Sequence, residues 1–286
     1  MSVLARLSNK TRNALLAWAL LCAPAFADAP GPSRVVSINL CTDQLAMLLA
    51  APEQLHSVSF IALDGRVSAM TKEAGSYVIN HGRAEEIYLL RPDLVVAGAF
   101  TPRSTVEMLR RLNIPVTVFA PANTLDDVRA RVTQMGEVLH RTEAAQAMLD
   151  DFDARLEQIT TDIAERPRAI LYYANGYTSG DNTLAGQILL AAGFRNAASE
   201  TGWTAGRKLP LEVLAMTDPD IVITARPYPG ASRSEAVLDH PVVQALRANS
   251  ASTALADQNW VCGTPFVLRA IENLAAARLN LTEAAQ

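Results

Sequence analysis

"RPDLVVAG" (residues 91–98) and "DPDIVITA" (218–225) are one phrase written twice. In each, a Pro-Asp pair leads into an unbroken run of mostly branched apolar residues. A run with no polar alternation marks a strand covered on both faces, as in parallel sheets flanked by helices. The segments ahead of the two copies, "AEEIYLL" (84–90) and "LEVLAMT" (211–217), read as helices. Both stop just short of an X-Pro pair, because the residue before proline disfavours the α conformation. Glu85 and Glu212 occupy the same offset ahead of Pro92 and Pro219. A repeated helix, Pro-Asp, strand unit places the two copies at corresponding points of two halves.

Outward from these units the same alternation continues. In the first half, strands are predicted at "RVVSI" (34–38), "SVSFI" (57–61), "DLVVAG" (93–98) and "PVTVFA" (115–120). Helices at "CTDQLAMLLA" (41–50) and "STVEMLRRLN" (104–113) fall between them. Strand–helix alternation implies a parallel sheet with helices on both sides. Between 124 and 165 the strands stop. Two amphipathic helices follow, the second over 142–165 with Ala145, Met148, Leu149, Phe152, Leu156, Ile159 and Ile163 on one stripe. It holds no glycine or proline and is expected to end at Arg166-Pro167. The alternation then restarts with "RAILYYA" (168–174), a helix capped by Gly193, "DIVITA" (220–225), a helix at 240–248, a last short strand ending in "NWVCG" (259–263) and a closing helix at 265–280. The predicted fold is α/β, two halves with parallel sheets joined by one long rigid helix. The predicted boundaries are a leader at 1–27, a first lobe at 28–141, the connecting helix at 142–165 and a second lobe at 166–286.

The chain of 286 residues is 50% hydrophobic and 19% charged, an ordinary globular balance. Its first residues have the plan of a secretory signal peptide. Arg6, Lys10 and Arg12 precede the apolar run "ALLAWALLC", and "AFA" at 25–27 supplies a cleavage site after Ala27. The run is well short of the roughly 20 residues that cross a bilayer. Cleavage removes three cations and no anion, taking the formal charge from −4 to −7. An acidic exported chain without basic clusters is a poor partner for nucleic acid. Of its three cysteines, Cys41 and Cys262 remain. An exported pair means a disulfide, a pair of thiols facing the ligand, or two buried inert groups.

The ordered set "RVVSINLCTDQLAMLLA", "AEEIYLLRPDLVVAG", the long helix, "YTSGDNTLAGQILLAAGFRN" and "LPLEVLAMTDPDIVITA" resembles the periplasmic solute-binding proteins of ABC importers for ferric siderophores, haem and vitamin B12. The likeness runs through essentially the whole chain after the leader. It implies two Rossmann-like lobes on a rigid helical backbone, little hinge closure, and a ligand in the cleft between them. It further implies a monomer in the periplasm that is not an enzyme and has no cofactor beyond a bound metal chelate. A ferric siderophore ranks ahead of cobalamin or haem, because Ile61, Asn80 and Gly98 stand where vitamin-B12 binders carry aromatic residues. Glu85 and Glu212 fall where the family pairs one glutamate per lobe with arginines of the membrane permease.

Ligands of open α/β sheets lie outside the carboxyl ends of the strands. That rule nominates the loop residues Asn39, Cys41, Thr42, His81, Arg83 and Phe100 from the first lobe. It nominates Tyr177, Trp203, Arg226, Tyr228, Trp260 and Cys262 from the second. Aromatic walls with a few polar anchors suit a bulky chelate. Each arginine is either a bidentate anchor for ligand oxygens or a solubilising charge. His81 and Tyr177 are the candidate axial ligands for a haem. With four histidines spread along the chain, a bare metal-ion site is not indicated. The alternative class is a cell-envelope hydrolase or transferase using the same cleft. Against it, "GYTSG" (176–180) puts Thr178 where a G-x-S-x-G elbow needs serine, and no P-loop is present.

Overall fold

The computed structural model describes residues 31–161, 163, 165–226, 232–249 and 251–284. The leader, its cleavage point and Tyr228 lie outside them.

The first lobe runs β1 (Val35–Ser37), α1 (Leu40–Leu49), β2 (Leu55–Ser59), α2 (Thr71–Ala74), β3 (Val78–Asn80), α3 (Ala84–Leu89), β4 (Leu94–Gly98), α4 (Arg103–Arg111) and β5 (Val116–Phe119). Its sheet is all parallel in the order β3-β2-β1-β4-β5. Two helices follow, α5 (Leu125–Val138) and α6 (Thr142–Thr160). The second lobe runs β6 (Arg168–Leu171), β7 (Tyr177–Thr178), α7 (Leu184–Ala191), β8 (Arg195–Asn196), α8 (Ala197–Glu200), β9 (Arg207–Lys208), α9 (Leu211–Thr217), β10 (Ile221–Ala225), α10 (Pro241–Asn249), β11 (Ala251–Leu255) and α11 (Val267–Ala284). Its parallel sheet has the order β11-β10-β6-β8, with β7 and β9 forming a separate antiparallel pair. The fold is α/β with two parallel sheets, as the sequence predicts.

The repeated phrase does the same work in both lobes. Along β4, Leu94 and Val96 enter the core on one side of the sheet while Val95 and Ala97 enter the core on the other. Along β10, Ile221 and Ile223 point one way and Val222 the other. Both faces are buried, so the run is apolar apart from the buried Thr224 of β10. The residue before each Pro-Asp is left-handed, Arg91 at φ 49° and Asp218 at φ 43°. This ends the helix and turns the chain into the strand. The aspartate then clamps the start of the neighbouring strand. Asp93 accepts from the backbone N–H groups of Ser33 (2.6 Å) and Arg34 (2.9 Å), and Asp220 from that of Arg168 (2.7 Å).

Helix α6 joins the lobes by contributing to both cores. Ala145 and Leu149 pack into the first, and Phe152, with Leu156 and Ile159, into the second. It ends at Thr160, short of the predicted 165. The hydroxyls of Thr160 and Thr161 donate to the carbonyls of Leu156 (3.0 Å) and Glu157 (2.7 Å), and Thr161 is extended at ψ 143°. Local side-chain bonds to the backbone compete with helix propagation, a stop signal weaker in sequence than a proline.

The end of the second sheet also differs from expectation. The last strand is β11, 251–255, and not "NWVCG". Residues Asp257–Asn259 form a 3-10 turn and 260–263 a loop leading to α11. "ASTAL" pairs with β10 along its whole length through backbone bonds, which small, half-exposed side chains do not advertise. Likewise β2 stops at Ser59, and Phe60–Leu63 forms a 3-10 turn that lifts Phe60 and Ile61 to the surface.

Candidate functional site

The carboxyl ends of both sheets meet across a cleft. Three hollows run along it, of about 200, 320 and 390 Å³. The first and second share Asn39, Leu40 and Phe100; the second and third share Val261. They form one trough from the first lobe to the second.

Its floor is covalent. Cys41, in the first turn of α1, is disulfide-bonded to Cys262 in the loop before α11, with Cα atoms 5.1 Å apart. Both cysteines line the central hollow. Beside the bond, a Cβ on Gly263 would lie 2.1 Å from that of Ala122, so the loop can press against the segment entering α5 only with glycine there. The lobes are therefore joined at the cleft floor as well as through α6.

The first lobe's wall is built on the loops after β1, β2, β3 and β4. Asn39 caps α1 by accepting from the Cys41 N–H at 3.0 Å, the role that favours asparagine at such positions. Gly98 makes room for it, since a Cβ there would come within 2.6 Å of the Asn39 side chain. Phe60 stacks on His81 at 5.4 Å, and Phe100 stands 85% exposed at the junction of two hollows. The second lobe's wall is the stacked pair Tyr173 and Trp260, at 5.5 Å, edged by Ser232, Ser234 and Asp257. Among the described residues, the buried Trp260 indole N–H and Arg131 Nε have no hydrogen-bond partner. Such a donor is destabilising by about 1–3 kcal/mol until an acceptor reaches it.

Beneath the first wall lies a buried polar network. Asp43 accepts from the Ser59 N–H at 3.1 Å and from the Ser59 hydroxyl, and the Ser37 hydroxyl also pairs with Thr42 at 2.8 Å. Burial pushes the Asp43 carboxyl up to about 6, against the opposing pull of hydrogen bonds from Ser37 and Ser59. Burial also raises the Tyr173 phenol well above its usual value.

Of the residues nominated from sequence, Asn39, Cys41, His81, Phe100, Trp260 and Cys262 come together along the trough. Thr42 also lines the central hollow, though it is only 1% exposed and its hydroxyl donates to the Asn39 carbonyl. His81 turns Nδ1 to Glu86 at 3.2 Å. Trp203 packs on the second lobe's core, donates its indole N–H to the Lys208 carbonyl at 2.9 Å and is covered by Arg207. Arg83, Tyr177 and Arg226 are exposed and line none of the three hollows. Sequence reasoning omitted Phe60, Arg131, Tyr173 and Val261. Phe60 carries no such signal, since "SVSFI" (57–61) reads as strand; "YYA" at a strand end is the available signal for Tyr173.

Two α/β lobes, a helical backbone and an aromatic trough between them define a two-lobed ligand-binding protein. The family model described as "Periplasmic binding protein" matches residues 35–251, and the chain belongs to that family. A cobalamin-binding protein of Halobacterium salinarum is 30% identical over 199 residues, 68% of this chain and 54% of the relative. The chain thus spans little more than half that relative's length. Among solved structures, the periplasmic heme-binding protein of Roseiflexus sp. RS-1 in apo form superposes with a TM-score of 0.70 at 21% identity, covering 90% of this chain and 100% of the other. The periplasmic vitamin B12 binding protein of Vibrio cholerae does so at 0.65 and 18%, covering 88% and 98%. Identities this low carry the fold alone.

Proposed function

We propose that the protein is the periplasmic substrate-binding component of an ABC importer and that its ligand is a metal-centred macrocycle, cobalamin before haem. The observation that carries this reading is the trough itself. It has aromatic side chains from both lobes, Phe60 and Phe100 against Tyr173 and Trp260, and few charges along its length. A broad, largely apolar ring system is matched by such walls, whereas an anionic ferric siderophore calls for convergent cations. Among the described residues, no group of three or more His, Cys, Asp or Glu side chains is arranged to hold a bare metal ion.

The sequence argument against cobalamin weakens at two of the three positions that made it, Asn80 and Gly98. Asn80 is buried and donates to the Ser37 carbonyl and the Ser57 hydroxyl, both at 2.8 Å, and Gly98 is covered by Asn39. Phe60, one residue before Ile61, and Phe100, two after Gly98, carry the aromatic surface instead. The relatives described as cobalamin-binding favour the same order.

Export through the 1–27 leader, action as a monomer, and docking on a permease through Glu85 and Glu212 complete the proposal. Both glutamates are exposed on the helices of the repeated unit, α3 and α9. Calorimetric titration with cyanocobalamin, hemin and a ferric hydroxamate tests the ligand class. Tightest binding of cyanocobalamin supports it; tightest binding of the siderophore, or none of the three, rejects it.

A further inference from the structure

Among the described residues, the three most exposed large apolar side chains are Phe100 at 85%, Met216 at 82% and Leu89 at 77%. Phe100 belongs to the cleft. The other two fall on one position of the repeated unit. Leu89 is four residues after Glu85 on α3, and Met216 is four after Glu212 on α9. Side chains four apart share a helix face, so each lobe shows a glutamate and an apolar knob side by side. Two residues nearer the helix start, Ile87 and Leu214 are fully buried, anchoring each helix to its lobe. Two residues past the knobs, Arg91 and Asp218 are left-handed and close both helices in the same way. The match therefore extends to side-chain direction and helix end, beyond sequence spacing.

Isolated exposed apolar residues are ordinary. What needs a cause is their recurrence at one position of both units, next to an acid. We infer that Leu89 and Met216 are apolar anchors that seat the protein on its permease, each entering a pocket rimmed by a basic residue that meets Glu85 or Glu212. Because the two lobes offer the same pair, the partner presents the same pocket twice, as a two-fold symmetric membrane dimer does. An apolar residue beside a charge pair excludes water from it, which is how small contact clusters dominate an interface. The inference rests on the docking role proposed above for the glutamates.

The test is binding of the purified protein to its ABC permease in lipid nanodiscs, followed by surface plasmon resonance. Leu89→Ser and Met216→Ser should each weaken binding about tenfold and together about a hundredfold, since loss of a buried side chain of this size is worth at least a factor of ten. Leu89→Met and Met216→Leu should retain it, and ligand affinity should be unchanged throughout. If both serine variants bind like the wild type while Glu85→Ala and Glu212→Ala weaken, the anchors are wrong and the docking reading stands. If neither set weakens binding, or the wild type does not bind, the docking reading falls with them.

Discussion

The two lobes meet the cleft with different surfaces. The first presents side chains that stand free of its core, Phe60, Ile61 and Phe100, on loops leaving β2 and β4. The second presents the Tyr173–Trp260 stack, partly sunk against its core and edged by Ser232, Ser234 and Asp257. The first wall offers exposed apolar side chains; the second offers a stack set partly into its core beside serine and aspartate groups. The lobes thus differ at the cleft while sharing one scaffold.

The largest expected effect comes from separating the walls. Cys41→Ser with Cys262→Ser opens a loop spanning a sequence separation of 221. It should lower unfolding stability by about 2–5 kcal/mol, measured by urea denaturation. Tight packing at Gly263 and the crossing of α6 should still hold the lobes, so the radius of gyration by solution scattering should change little. A large expansion would make the disulfide the main link and sharpen the comparison toward two loosely coupled halves.

Next is the acid beneath the first wall. With its folded pKa raised from 3.8 to about 6, Asp43 contributes stability that is fully present below about pH 4 and lost as pH rises through 6. The difference between wild type and Asp43→Asn should shift in the variant's favour by about 2 kcal/mol between pH 4 and pH 7, read by urea unfolding. No shift would mean that the carboxyl is solvated and the wall above it less rigidly supported.

The smallest effect compares the repeated aspartates. Asp93 accepts from two backbone N–H groups and the Ser33 hydroxyl, and Asp220 from the Arg168 N–H. Partial burial pushes the Asp93 carboxyl up, and the bonds from Ser33 and Arg34 more than offset it, holding it below the usual range. Asp93→Ala should destabilise by about 1–2 kcal/mol and Asp220→Ala by about 1 kcal/mol or less, by thermal unfolding. Equal losses would remove the difference between the two clamps.

The fold is legible where periodicity is strong. Both Pro-Asp strands, the bridging helix and the closing helix announce themselves through continuous apolar runs or helical stripes. "ASTAL" does not, because its partner strand defines it, and the end of α6 is hidden in two threonine hydroxyls. The site is legible only in part. Loops after strands are easy to nominate, but side-chain direction within them is not. Trp203 packs on its own lobe's core, and Phe60 is raised by a 3-10 turn that reads as strand.

The central claim is that one ligand touches both walls. A double-mutant cycle of Phe100→Ala and Trp260→Ala on cyanocobalamin affinity, measured by calorimetry, tests it most directly. Each aromatic removed from a desolvated contact should weaken binding about tenfold or more, and the double variant should lose at least as much as the larger single loss. If either substitution leaves the affinity unchanged while the other lowers it, the ligand sits on one lobe alone and the two-walled trough is contradicted.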